Sequence, residues 1–304
     1  MDHKRLLASL SGEERDALTA LSDRPGLFRL FQHGVCMALL VWLIPAKVPG
    51  WPLLMLPLGV QLVFLFTLLH ETVHRTAFRS VWLNKLAGRI CSVILILPAD
   101  WFRYFHLAHH RFTQEPGRDP ELAEPKPETI RQYVVHISGL AVWRGQVTAL
   151  LRNAMWANQD SFVPARGKAR VMREAQVMIL LYVSLLAGSL WAGSTMLVWI
   201  WLVPLLLGQP FLRLYLLAEH GRCAFVANMF ENTRTTFTNH VVRWLAWNMP
   251  YHAEHHAYPA VPYHKLPAFH ARTREHLQVT EDGYARFNAN FVKQLERKSE
   301  MRLD

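Results

Sequence analysis

The chain has 304 residues, 51% of them hydrophobic, and 33 Lys and Arg against 23 Asp and Glu give a formal net charge of +10. That length suits one large domain or two small ones, and the basic balance suits nucleic acid or an anionic membrane surface. Long apolar runs decide for the membrane and exclude a nucleic-acid partner. Cys36, Cys91 and Cys223 form no C-x-x-C pair, so the chain has no disulfide framework and its thiols read as small buried hydrophobes.

Residues 1–26 form a charged N-terminal segment. No short apolar core with a small-residue cleavage site follows it, so no signal peptide is expected. Ser11 with Glu14 makes a capping-box pattern for a short helix over 11–22, and Asp23-Arg24-Pro25-Gly26 is expected to break it. Apolar runs then occupy residues 27–44, 51–69, 174–191 and 196–217. Each approaches the roughly 20 residues that cross about 30 Å of hydrocarbon. Residues 45–50 join the first two runs and residues 192–195 the last two, which predicts two helical hairpins with their short turns on one side. The stretch 81–99 carries an apolar run, 90–97, too short to span, and 143–157 is amphipathic; both read as helices lying at the interface. The short turns hold Lys47 and no Arg, whereas Arg166, Lys168, Arg170 and Arg173 cluster on the other side. The positive-inside rule therefore places the termini and segments 70–173 and 218–304 in the cytoplasm. The expected fold is an all-α integral membrane protein: four transmembrane helices in two hairpins, with a cytoplasmic helical cap, residues 27–304 forming a single domain.

Three histidine clusters stand out: HETVH at His70 and His74, HLAHH at His106, His109 and His110, and HAEHH at His252, His255 and His256. Positions i, i+3 and i+4 share one helix face, so each cluster can aim its imidazoles at one point. Imidazole ligates iron, zinc, copper and nickel, and eight such ligands suit two metal ions better than one. Hydropathy alone puts all three clusters, and His220 at the end of the last run, on the same membrane side at similar depth. Nine histidines are thus candidate ligands. Asn248, four residues before His252, would share its face if that segment is helical, and could orient a ligand. His3, His33, His136, His240, His270 and His276 lack this spacing and read as ordinary.

Three rival readings compete. HETVH matches the H-E-x-x-H zinc protease pattern with Glu71 as general base, but that leaves both H-x-x-H-H clusters without a purpose. A carboxylate-bridged di-iron bundle needs two E-x-x-H motifs, and only Glu71–His74 supplies one. A metal transporter would mark its path with polar residues inside the spans, and runs three and four carry almost none before Gln209.

The set HETVH, HLAHH and NMPYHAEHH resembles the membrane fatty-acid desaturase and hydroxylase superfamily. The surrounding text, HHRFTQEPGRDPE and NTRTTFTNHVVRWLAWNMPYHAEHHAYPAVP, is similar to its bacterial desaturase-like members. The resemblance covers about residues 60–270. It implies two Fe ions held by His70, His74, His106, His109, His110, His252, His255 and His256, with His220 as the additional histidine. In some members Asn precedes that extra histidine by four; here that position is Leu216. O2 would be the co-substrate and a lipid or acyl chain from the bilayer the substrate, desaturated or, on the same site, hydroxylated or ketolated. The chain carries no H-P-G-G haem motif, so electrons would come from a separate donor of ferredoxin, rubredoxin or cytochrome b5 type with its reductase. A multi-pass protein of the bacterial inner membrane is expected. Glu71 and Glu219 adjoin ligands and are the better candidates to orient imidazoles, with Asp100 and Glu254 behind them. Trp101, Phe102, Tyr104 and Trp247 could line an acyl channel, and Arg213 could meet a lipid headgroup.

Overall fold

A computed structural model of the chain describes residues 1–300. Two short helices, α1 (His3–Ser9) and α2 (Gly12–Thr19), come first. The Ser11 hydroxyl accepts from the Glu14 amide at 3.1 Å and the Glu14 carboxylate accepts from the Ser11 amide at 2.9 Å, the capping box read from the sequence. Helix α3 (Asp23–Leu43) starts at the segment expected to break the helix before it, four residues ahead of the apolar run. Pro25 falls in its first turn, where the backbone amides have no intrahelical partner to lose. Gly26 fits there because a Cβ would meet the Ala77 carbonyl and the Phe78 ring.

Helix α4 (Trp51–His74) is followed by α5 (Val81–Leu95) and α6 (Ala99–Phe112), which are bent by 100° to one another. Next come α7 (Ile130–Ser138), α8 (Leu140–Ala154), α9 (Ala165–Trp191) and α10 (Val203–His220), the last continuous with a π-helical stretch, Val198–Leu202. The basic run at Arg166–Arg173 is thus the opening of α9, and helix continues from it without a break into the third apolar run. The C-terminal cap holds α11 (Met229–Asn232), β1 (Thr235–Phe237), α12 (His240–Leu245), α13 (His252–Ala257), α14 (Leu266–Thr273), β2 (Thr280–Asp282) and α15 (Tyr284–Glu300). The two three-residue strands pair in parallel, Thr235 opposite Thr280, and are the sheet content among the described residues. Their brevity leaves no alternation to read in the sequence.

Four helical stretches are long and apolar enough to cross a membrane: Gly12–Leu43, Trp51–His74, Ala165–Trp191 and Val198–His220. The architecture is that of an all-α integral membrane protein. The second and fourth of these pack side by side in the same direction. Trp51 meets Trp199 at 5.8 Å between ring centroids, and Phe64 meets Tyr215 at 5.2 Å. Between those contacts Gly59 and Gly208 touch backbone to backbone: a Cβ on Gly208 would overlap the Gly59 carbonyl, and one on Gly59 the Pro204 carbonyl. Small residues let membrane helices approach this closely. From Gly59 to His70 and from Gly208 to His220 both helices rise by about the same 17 Å at about 1.5 Å per residue. His70 and His220 therefore arrive at the same level, beside the cap.

Candidate metal centre

Four local devices aim the histidines. Helix α4 ends just after His74 in a Schellman motif: the Thr76 amide donates to Glu71 O at 3.2 Å and the Arg75 amide to Thr72 O, with Arg75 left-handed at φ +63°. Helix α5 ends the same way at Ile96, φ +57°, with the Leu97 amide on Ser92 O at 3.0 Å. A β-branched residue in this conformation costs about 1–2 kcal/mol, and it makes the elbow that swings α6 under the other clusters. The N-terminus of α6 is then fixed by Glu174 of α9, whose carboxylate accepts from the Ala99 and Asp100 amides at 3.1 and 2.8 Å. Before α13, residues 246–250 form a tight turn in which Trp247 and Asn248 are both left-handed.

The nine candidate histidines come together in two adjoining groups. His70, His74, His106, His110 and His255 each offer a ring nitrogen within 4.8 Å of the others. His109, His220 and His256 form the second group by the same measure, and His252 joins it with Nε2 3.2 Å from His220 Nε2. Each group draws on three helices: α4, α6 and α13 for the first, α6, α10 and α13 for the second. Neighbouring clusters face each other by their Nε2 atoms, at 2.8 Å for His74–His106 and 3.2 Å for both His109–His220 and His110–His255.

The outer nitrogens set the tautomers. His109 Nδ1 lies 2.9 Å from Asp119 Oδ1, and His220 Nδ1 lies 3.2 Å from the Asn232 carbonyl. His256 Nδ1 lies 3.2 Å from Thr113 Oγ1, whose own proton goes to the His109 carbonyl at 2.8 Å. Each Nδ1 therefore carries the proton, and each Nε2 turns a lone pair inward. Glu71 is fully buried; its Oε2 accepts from the Thr76 hydroxyl at 3.0 Å and the Tyr263 amide at 3.1 Å. Its Oε1 stands 3.9 Å from the Nδ1 atoms of both His70 and His255. A carboxylate so engaged behind two imidazoles is placed to orient them and not to activate water, which removes the geometry that an H-E-x-x-H protease needs. Glu219 Oε1 stands 3.4 Å from His252 Nδ1 in the same manner.

Other candidates fall elsewhere. Asn248 hydrogen-bonds to no histidine among the described residues; its segment is a turn, so the shared helix face does not exist. Its side-chain amide donates to the Tyr263 carbonyl at 3.0 Å, and Tyr263 in turn donates to Glu71. Asp100 pairs with Arg89 at 2.6 Å, away from the imidazoles. Glu254 binds His270 and Thr235, tying α13 to α14 and β1; His270, read as ordinary, is its anchor. Asp119, Thr113 and Asn232 were missed. The signal for Asp119 was there, an acid ten residues after His109 in an otherwise turn-like stretch, but no periodicity connects the two.

A cavity of about 500 Å³ opens against the histidines. Phe66, Leu97, Trp101, Phe102 and Phe105 line its apolar side; Glu121, Lys126, His136 and Arg213 line its polar side. Trp101 and Phe102 thus take the expected place. Trp247 is instead fully buried against Tyr263, and Tyr104 packs on Gly167. Burial holds His252, His255 and His256 well below the ordinary imidazole range, with neighbouring imidazoles adding to the effect. Burial pushes the Glu121 carboxyl up, but neighbouring positive charge, the Lys126 ammonium foremost, outweighs it and holds it well below the usual carboxylate range.

The sequence profile of the fatty acid desaturase family matches residues 34–288. The chain belongs to this family. Among curated desaturases it is similar to the sn-1 oleoyl-lipid 12-desaturase of Picosynechococcus sp., 31% identical over 31% of this chain and 29% of that protein. It is also similar to the sphingolipid delta(4)-desaturase DES1-like of Arabidopsis thaliana, 24% identical over 66% of this chain and 57% of that protein. A third relative is the endoplasmic reticulum omega-6 fatty acid desaturase of Brassica juncea, 29% identical over 29% of this chain and 23% of that protein. The matched region thus spans less than two thirds of each of these relatives.

The donor set of this desaturase-family chain fits a pair of transition-metal ions. Both ring nitrogens of His70, Nε2 of His256 and Nδ1 of His110 are buried with no hydrogen-bond partner among the described residues. Leaving buried polar atoms unpaired costs about 1–3 kcal/mol each. Inward-facing lone pairs at 2.8–3.2 Å from one another repel unless a cation takes them up.

Proposed function

We propose that this chain is an O2-dependent oxidoreductase that removes two hydrogens from the alkyl chain of a fatty acid or lipid, using two iron ions. The observation that carries the reading is the convergence of nine imidazoles, in two groups, on one end of an aromatic cavity. His70, His74, His106, His110 and His255 would hold one iron; His109, His220, His252 and His256 would hold the other. Bound iron supplies the oxidising power toward an unactivated C–H bond that no side chain provides. The remaining work falls to the protein. Phe66, Trp101, Phe102 and Phe105 bind the alkyl chain and keep water from the reacting carbons. Asp119, Asn232 and Thr113 fix the tautomers of the second group, while Glu71 and Glu219 stand behind His70, His255 and His252. Arg213 and Lys126, on the polar wall, would face the headgroup or carboxyl end of the substrate.

The basic start of α9 and the scarcity of charge in the short turns support a cytoplasmic position for the histidine end, in keeping with a bacterial inner-membrane protein. Electrons would come from a separate donor protein of ferredoxin, rubredoxin or cytochrome b5 type.

Mass spectrometry of lipids from cells with and without the intact chain tests the reading. A product about two mass units lighter, formed only with O2, is expected; a product about sixteen units heavier would make the enzyme a hydroxylase. Metal analysis should find about two irons per chain, whereas one zinc with peptidase activity would overturn the proposal.

A further inference from the structure

The second histidine group has a neighbour that the imidazoles do not account for. Glu121 sits in the 3₁₀ turn Pro120–Ala123, on the cavity wall. Its Oε2 stands 3.3 Å from His109 Nε2, and its Oε1 receives the Lys126 ammonium at 2.6 Å. Asp119 opens this turn and holds three groups at once. It accepts from His109 Nδ1 and from the backbone amides of Gln114 and Glu121, the latter two at 2.9 Å. One carboxylate thus sets both the tautomer of His109 and the position of Glu121.

A proton count follows from these contacts. His109 spends its Nδ1 proton on Asp119, and His220 spends its own on the Asn232 carbonyl at 3.2 Å. His109 Nε2 is then an acceptor that faces two others, His220 Nε2 and Glu121 Oε2, with no donor placed between them. Their separations, 3.2 Å between the nitrogens and 3.3 Å from nitrogen to carboxylate, match ligands on a shared ion. Metal bonds of about 2.0–2.2 Å put neighbouring ligand atoms about 3.0 Å apart at right angles and about 3.5 Å apart in a tetrahedron.

We propose that Glu121 is a carboxylate ligand of the metal in the second histidine group, so that one ion has an all-imidazole shell and the other a mixed one. The proposal rests on the metal-centre reading above. Its rival is an ordinary ion pair, in which His109 is an imidazolium between Asp119 and Glu121 and the carboxylate has no bond to metal.

Mössbauer and X-ray absorption spectra of the purified, iron-loaded full chain separate the two, together with chelator competition. Wild type should hold two irons per chain in two distinct environments. Glu121→Gln should alter the signal of one environment and leave the other. It should also make one of the two irons on the order of ten- to a hundred-fold easier to strip. Glu121→Asp, which keeps the carboxylate but shortens its reach, should perturb the same environment less. Should Glu121→Gln fail to accumulate, Glu121→Asp decides by its spectrum alone. Two tightly held irons with unchanged spectra in these variants would overturn the carboxylate ligand and leave the histidine centre standing. A wild-type chain that binds no iron would overturn both.

Discussion

The two histidine groups differ in how they are held. In the first, the outer nitrogens of His110 and His255 have no hydrogen-bond partner among the described residues, and Glu71 stands 3.9 Å from two rings. These rings are fixed by helix packing: α4 ends in its Schellman motif beside Phe78 and Tyr263, and α6 is pinned by Glu174. In the second, His109, His220 and His256 are each tied by a hydrogen bond at Nδ1. One site is shaped by rigid helices and the other by hydrogen bonds from the loop that follows α6 and from the end of α11. Damage should therefore spread through packing in the first and stay local in the second.

The largest effect is expected from His109→Ala. It removes a ring from the second group and takes one of the three donors from buried Asp119. Activity should vanish and iron content should fall to about one per chain, while the chain stays in the membrane; retained activity would take this histidine out of the site. Asp119→Asn comes next. It keeps the shape but donates where it should accept, so metal affinity in the second group should drop about 10–100-fold. The first group should keep its iron, and chelator titration with metal analysis reads the difference.

Acidification tests both groups together. His255 of the first group and His256 of the second are neutral when folded, held low by burial, whereas an unfolded chain protonates near 6.5. The unfolded state therefore binds more protons below that value. Stability of the metal-free protein should be complete above about pH 6.5 and fall as pH drops below it. Thermal unfolding in detergent across pH 5–8 checks this, and a flat profile would contradict neutral buried imidazoles. The smallest effect is expected at Asn248→Ala. It removes the bond to the Tyr263 carbonyl and a residue that tolerates left-handed backbone, for a loss of about 1–2 kcal/mol. Both irons should remain, since Asn248 hydrogen-bonds to no imidazole among the described residues; loss of either metal would give this residue a direct role.

The helical frame was legible because its signals are long and repetitive. Four apolar runs bounded by turns, and histidines at i, i+3 and i+4, survive almost any local detail. The division of those histidines between the groups was not legible. The H-x-x-H-H spacing places His106, His109 and His110 on one helix, yet His109 faces His220 while its two neighbours face His70 and His74. That split depends on where α10 and α13 cross α6, which is a tertiary fact. Asn248 shows the same limit from the other side: its spacing suggested a helix face, but two left-handed residues make the segment a turn. The start of α3 was misplaced because Pro25 and Gly26 resemble a breaker unless the first turn is known to tolerate one and Phe78 to require the other.

Each histidine group closes only with residues of α13, His255 in the first and His252 with His256 in the second, and every other member comes earlier in the chain. During synthesis the four apolar helices can already lie in the bilayer before His252 has left the ribosome. Until then the imidazoles of α4, α6 and α10 stand as an unfinished cluster with lone pairs facing one another. The last step of assembly is therefore the arrival of one short helix, and a chain cut before residue 252 would keep its membrane helices and lose both groups at once.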